Sequence, residues 1–162
     1  LAESLDRLSV ESFGYDSVSR YFYYLAKGWS HAQDGRRELA HASYDSARVI
    51  LEDWLNRARG GSYWLRDLSW VYAGLGRSAE ALAASRRLLE QVPPSKDPLW
   101  GDYIFLLHAQ TLVVLGQADE ALDLLASLIE RAPYLAGNLR VDPLWDPLRD
   151  DPRFQALLER SR

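Results

Sequence analysis

Residues 72–87 read YAGLGRSAEALAASRR, and the reading of this stretch decides the fold. Gly76 is followed five residues later by Ala81, with apolar-periodic sequence behind and ahead. The same pair recurs as Gly35 and Ala40, and again as Gly116 and Ala121. The three glycines stand 41 and then 40 residues apart. Self-similarity at a period of a few tens of residues marks an array of helical supersecondary units. In each unit the glycine supplies the turn that stops a helix without strain, and the small alanine lets the next helix close against it. The stretch predicts an all-α fold of antiparallel helix hairpins.

The flanks extend the pattern. Tyr21, Phe22, Tyr24, Leu25, Gly28 and Trp29 place apolar residues on more than one face of a helix over about 18–33, which D34-G-R-R ends. Ala40, Tyr44, Ala47, Ile50, Leu51, Trp54 and Leu55 recur at helical spacing in a partner running to about Ala58. Ala40 and Ala47 bracket Tyr44, which suits two helices crossing closely with one ring between them. The break R59-G-G-S follows, with Ser62 a candidate cap. Helices are then expected over 63–75 and 79–91, the latter stopped by the prolines of V92-P-P-S-K-D-P. Two more are expected over 100–115 and 119–131. The hairpins are thus about 18–58, 62–92 and 100–132.

Both ends differ. Leu1, Leu5 and Leu8 suit one face of a short helix, and a loop with Gly14 leads to Asp16 or Ser17 as an N-cap. Residues 134–162 carry Pro143, Pro147 and Pro152, each able to start a helical turn and none suited to its interior. Short turns are expected at 143–149, then a helix from Pro152 to about Arg160 capped by Asp151. Leu139, Leu144, Trp145 and Leu148 are expected to cover the apolar end of the last hairpin, because a terminal repeat has no neighbour to do so.

Composition narrows function. The 162 residues suffice for a single domain with a core. The 19 basic and 23 acidic residues give a net charge of −4 and are spread evenly, which is poor for gripping phosphate backbones. The pairs Arg36–Arg37 and Arg86–Arg87 are isolated, so no nucleic-acid partner is expected. No cysteine is present, which excludes disulfides and thiol chemistry and fits a cytoplasmic location. The longest apolar run, Tyr103–Leu115, is cut by His108 and Gln110 and falls short of a membrane span. No signal peptide is evident. The chain begins at Leu1 and contains no Met, which fits a processed terminus or, more simply, a fragment of a longer protein.

The repeated positions resemble the tetratricopeptide repeat. In the first unit the matching residues are Tyr24, Lys27, Gly28 and His31, then Ala40, Tyr44 and Ala47. In the second they are Leu65, Leu68, Ser69 and Tyr72, then Ala81, Ser85, Leu88 and Pro93. In the third they are Phe105, His108, Ala109 and Leu112, then Ala121, Leu125, Leu128 and Pro133. The period of about 40 exceeds the family's usual repeat, and the first unit lacks the closing proline. The resemblance implies a right-handed solenoid of three hairpins with a C-terminal capping helix. Y44-D-S-A-R, the middle G76-R-S-A-E-A, the P94-S-K-D break and the ending D142-P-L-W-D-P-L-R-D-D-P-R-F-Q-A-L-L together also resemble the C-terminal repeat region of bacterial multidomain signalling proteins, in which a serine/threonine kinase, cyclase or DNA-binding domain precedes the repeats. None of those effector motifs occurs in this chain.

Catalytic groupings are not expected, and the chain reads as a non-enzyme. His31, His41 and His108 are scattered and lack the further ligands a metal site needs. Asp119–Glu120 and Asp150–Asp151 lie at predicted helix starts, where capping accounts for them. Ser43, Ser46, Ser69 and Ser85 show no His–Asp arrangement in sequence and read as packing or turn residues. No cofactor and no metal are expected.

A binding surface is. If the first helix of each hairpin lines a concave face, as the resemblance implies, the inward residues are Phe22, Leu25, Trp29 and Gln33 in the first. They are Tyr63, Arg66, Trp70 and Gly74 in the second, and Tyr103, Leu106, Gln110 and Val114 in the third. Rings around one arginine suit a protein or peptide partner, since aromatics and Arg dominate interface energetics. Self-association is a further expectation, and a ligand-sensing or spacer domain of a larger signalling enzyme is the alternative.

Overall fold

The computed structural model describes residues 17–57 and 63–160. The expectations for the Leu1–Leu5–Leu8 helix, Gly14, Asp16, Ala58, the break at 59–62 and Ser62 lie outside them. Among the described residues all regular structure is helical. The helices are α1 (Ser17–Gln33), α2 (Arg37–Asn56), α3 (Tyr63–Gly74), α4 (Ser78–Gln91), α5 (Pro98–Val114) and α6 (Ala118–Arg131). A 3-10 turn at Pro133–Leu135, α7 (Ala136–Val141), a second 3-10 segment at Pro143–Leu148 and α8 (Pro152–Arg160) complete the order. The chain divides into two compact units, Leu1–Ala81 and Leu82–Arg162, with the boundary inside α4.

The three glycine turns share one geometry. Gly35, Gly76 and Gly116 have φ of 72°, 72° and 74°, the left-handed region that disfavours a side chain. In each, the glycine N–H donates to the carbonyl three residues back: Ala32, Ala73 and Val113. The following residue donates to the carbonyl five back: Arg36 to His31 at 2.9 Å, Arg77 to Tyr72 at 2.8 Å and Gln117 to Leu112 at 2.9 Å. This is the Schellman closure, which satisfies carbonyls the helix end would otherwise orphan. The alanines at the fifth position then donate back to Arg36, Arg77 and Gln117, and all three are buried.

In the first unit α2 packs along both α1 and α3. Its core is Tyr21, Ala40, Tyr44, Ala47, Leu51, Trp54, Leu68 and Val71. Tyr44 is the wedge between helices that the sequence suggests, and two glycines make the room. A β-carbon on Gly28 would come within 2.6 Å of Tyr44 Cδ1, and one on Gly74 would fall on the other edge of the same ring. Burial pushes the Tyr44 phenol up to about 12.

In the second unit α5 and α6 pack as a hairpin. The core joins Leu106, Ala109, Leu112, Leu125 and Leu128 to Leu139, Trp145, Leu148 and Phe154 from the tail. Helix α5 begins at Pro98, two residues before the sequence expectation. Asp97 accepts from Trp100 N at 3.0 Å as its N-cap, and Pro98 fits the first helical position because it has no N–H to leave unsatisfied. Asp151 caps α8 as expected, accepting from Arg153 N at 2.8 Å. Helix α7 was not expected. Gly137 and Asn138 weaken its local signal, but burial of Ala136 and Leu139 holds it in place.

Candidate interaction surface

The first unit displays two large rings on one side of α1. Phe22 is 47% exposed and Trp29 is 42% exposed, while the adjacent Tyr21 is 1% exposed. Leu25, between them on that face, is half-buried, and Gln33 at its end is exposed. Helical spacing of three and four residues puts all four on one stripe.

Beneath Phe22 lies an aromatic floor. The Tyr21 ring is 4.3 Å from Phe22 and meets Trp54 and Trp64 edge-on at 5.2 and 5.3 Å. Trp54 and Trp64 are 4.6 Å apart. Offset and edge contacts of this kind suit the ring quadrupoles and fix ring positions. The floor carries one buried charge. Asp67, 1% exposed, accepts from Tyr21 Oη at 2.9 Å and from Arg66 Nε at 2.6 Å. A buried carboxylate needs such partners to offset its lost hydration. Burial and the Asp67 charge together drive the Tyr21 phenol far above its ordinary value.

Arg66 links this pair to the next expected site residue, because its guanidinium lies 5.9 Å from the Trp70 ring centre. Both are half-buried. Tyr63 opens α3. Trp64 Nε1 and Trp70 Nε1 are buried and make no hydrogen bond. Arg66 and Trp70 sit in a cation–aromatic contact.

The expected site residues of the second unit are placed differently. Tyr103 is half-buried, but Leu106 is 0% exposed and Gln110 is 4% exposed. The second 3-10 segment packs on α5, and Gln110 Nε2 donates to Asp142 Oδ2 at 2.8 Å. Asp142 also accepts from Leu144 N at 3.0 Å, capping the segment it begins. Trp145, fully buried, donates from its indole to Asn138 Oδ1 at 2.9 Å. The segment D142-P-L-W thus covers the stripe of α5 on which Leu106 and Gln110 stand. Those two residues serve the interior of the unit, and Val114 at the end of the stripe stays exposed.

One polar pairing was invisible in sequence. Ser85 Oγ lies 2.7 Å from His108 Nδ1, both buried. Burial, reinforced by the Arg86 charge, pushes the His108 pKa down. Ser85 and His108 are 23 residues apart on different helices, and their places in the repeat pattern do not say that they bond. The hydrogen bond satisfies both groups where water is excluded.

Two open clefts lie on other surfaces of α1 and α2. One, of about 370 Å³, is lined by Tyr23, Tyr24, Lys27, His31, Leu39 and Ser43 among others. The other lies along Arg37, Glu38, His41 and Asp45. Among the described residues no group of three or more His, Asp or Glu could hold a metal ion. None of the described helices is long and apolar enough to cross a membrane. No protein-family model, no curated protein and no solved structure matches this chain.

Proposed function

We propose that this chain is a non-catalytic scaffold of tetratricopeptide-like hairpins that binds a protein or peptide through the α1 stripe of Phe22, Leu25 and Trp29, flanked on α3 by Arg66 and Trp70. The observation that carries the reading is the exposure of Phe22 and Trp29 on one face of α1, with Phe22 set against the aromatic cluster around Tyr21. Anchoring rings held in place bind without paying much rotamer entropy, which is where interface hot spots arise. The repeated Schellman turn supports the kinship with tetratricopeptide repeats, because one turn chemistry recurs at one register. The resemblance of the four quoted pieces to the repeat region of bacterial signalling proteins supports a place in a cytoplasmic signalling protein whose effector domain lies elsewhere.

The ligand-sensing alternative draws little from the two clefts, since both are open to solvent and shallow sites of that kind bury a small molecule poorly. The test is capture of partner protein by the full chain against the Trp29→Ala and Trp70→Ala variant. Weakened capture with an unchanged helical circular-dichroism signal is expected. Unchanged capture would remove the assignment of this surface, and a lost helical signal would return these rings to the core.

A further inference from the structure

The 41- and 40-residue register aligns three residues of α1 with three of α5: Phe22 with Tyr103, Leu25 with Leu106, and Trp29 with Gln110. The chemistry is the same at each place. An aromatic ring comes first, a leucine second, and a side-chain N–H donor third. On α5 this stripe is occupied. D142-P-L-W lies on it, Gln110 donates to the Asp142 carboxylate at 2.8 Å, and the Trp145 ring is buried. Asp142 does double duty there, because its other oxygen caps the turn through Leu144 N at 3.0 Å. Pro143 holds the first position of that turn, so the segment is stiff before it binds. On the equivalent stripe of α1, Phe22 and Trp29 are exposed and Leu25 is half-buried.

From this internal comparison we infer that the α1 stripe takes, from a protein partner, a short turn of the class Asp-Pro-apolar-aromatic. The aspartate accepts from the Trp29 indole N–H as Asp142 accepts from Gln110. The turn's apolar and aromatic side chains cover Leu25 and Phe22. The inference rests on the scaffold reading above and names the chemistry of its partner. The second-unit tail supplies the pattern, since it shows what this chain already uses to cover such a stripe. The α3 stripe of Tyr63, Arg66 and Trp70 departs from the pattern at its centre, where an arginine replaces the leucine, so it is not assigned the same occupant.

The probe is a labelled synthetic peptide with the sequence of residues 142–149, DPLWDPLR, titrated into the full chain by fluorescence anisotropy. Saturable binding is expected, weakened about tenfold or more by Trp29→Ala in the chain, the usual scale for a hot-spot ring. The same loss is expected when the peptide carries Trp145→Ala, and a smaller one with Asp142→Ala. These peptide variants keep the test valid if the chain variant misfolds. No saturation up to about 1 mM peptide, equal binding of a scrambled peptide, or binding indifferent to Trp29→Ala would each overturn the inference. Protein capture that depends on Trp29 alongside any of those results would leave the scaffold reading standing and this partner class discarded.

Discussion

The ring of Tyr44 occupies the space that a side chain on Gly74 would need. Gly28 leaves the same kind of gap on the ring's other edge, so one phenol from α2 is held between α1 and α3. Local propensity argues against Gly28, which lies inside α1 and costs about 1 kcal/mol there relative to alanine, while Gly74 is the last residue of α3. Packing on the Tyr44 ring explains both glycines. Close approach of three backbones around one large ring gives the first unit its core geometry.

Gly74→Ala and Gly28→Ala should each destabilise the first unit by about 1–3 kcal/mol, the usual cost of overpacking. Tyr44→Ala should absorb most of that penalty by removing the ring that the new methyl strikes. A double-mutant cycle in chemical denaturation measures the coupling. Additive losses would show that the ring and the glycine do not compete for the same space.

The turn glycines make a different prediction. Gly116→Ala should cost about 1–2 kcal/mol because φ near 74° is strained for any side chain. Gly137→Ala, in α7 with open space around its Cβ position, should instead be neutral or stabilising by up to about 1 kcal/mol. Comparing the two melting curves checks it, and a similar effect at both sites would contradict the backbone account.

The repeat grammar was legible from Gly35, Gly76 and Gly116 because a left-handed turn leaves a residue-type signature at a fixed place. The stripe on α1 was legible too, since three- and four-residue spacing locates a face. What spacing cannot tell is what covers that face. Leu106 and Gln110 share the register of Leu25 and Trp29, yet the tail lies over them. Covering depends on a contact between residues 32 apart, Gln110 and Asp142, and no local pattern encodes such a contact. Ser85 and His108 were missed for the same reason. Helix α7 was missed because tertiary burial of Leu139 outweighs the poor helix formers beside it.

Acid should weaken the second unit through His108. Its pKa is lowered in the folded chain, by burial first and by Arg86 second, with Glu120 opposing. The unfolded chain, with an ordinary histidine pKa of about 6.5, takes up the proton more readily. Stability therefore holds above that pH and falls as pH drops through and below it. Hydrogen exchange of α5 amides between neutral and mildly acid pH measures this. His108→Gln should flatten the part of the decline due to this group, and an unchanged profile would assign it elsewhere.

Alkali should act on the first unit through its phenols. Burial drives Tyr44 to about 12, and burial with the Glu52 hydrogen bond does the same for Tyr72. Both remain neutral when folded while the unfolded chain ionises from about pH 10. Stability should then decline as pH rises above 10. Ultraviolet titration should show these two ionising late, and full phenolate absorbance at pH 10.5 in a still-helical protein would refute the assignment.

Trp145→Ala should cost about 3–5 kcal/mol, the scale for emptying a buried aromatic site, because the ring is fully buried and its indole is bonded to Asn138. Trp29→Ala, at an exposed ring, should stay within about 0.5 kcal/mol. Denaturation of the two variants separates a tryptophan that holds the structure from one that is displayed.

The shared closure at Gly35, Gly76 and Gly116 has a practical corollary. Each turn ends its helix with the same two backbone hydrogen bonds and starts the next with the same one, so the backbone closures of G35-R-R, G76-R-S and G116-Q-A are interchangeable. A shuffled chain with those three tripeptides permuted would keep every closure bond. The two residues after each glycine carry contacts of their own, since Ala118 packs against the core of the second unit and Arg77 lies over the Tyr72 ring, while the glycine and the alanine four places beyond the tripeptide's middle residue stay as the joint.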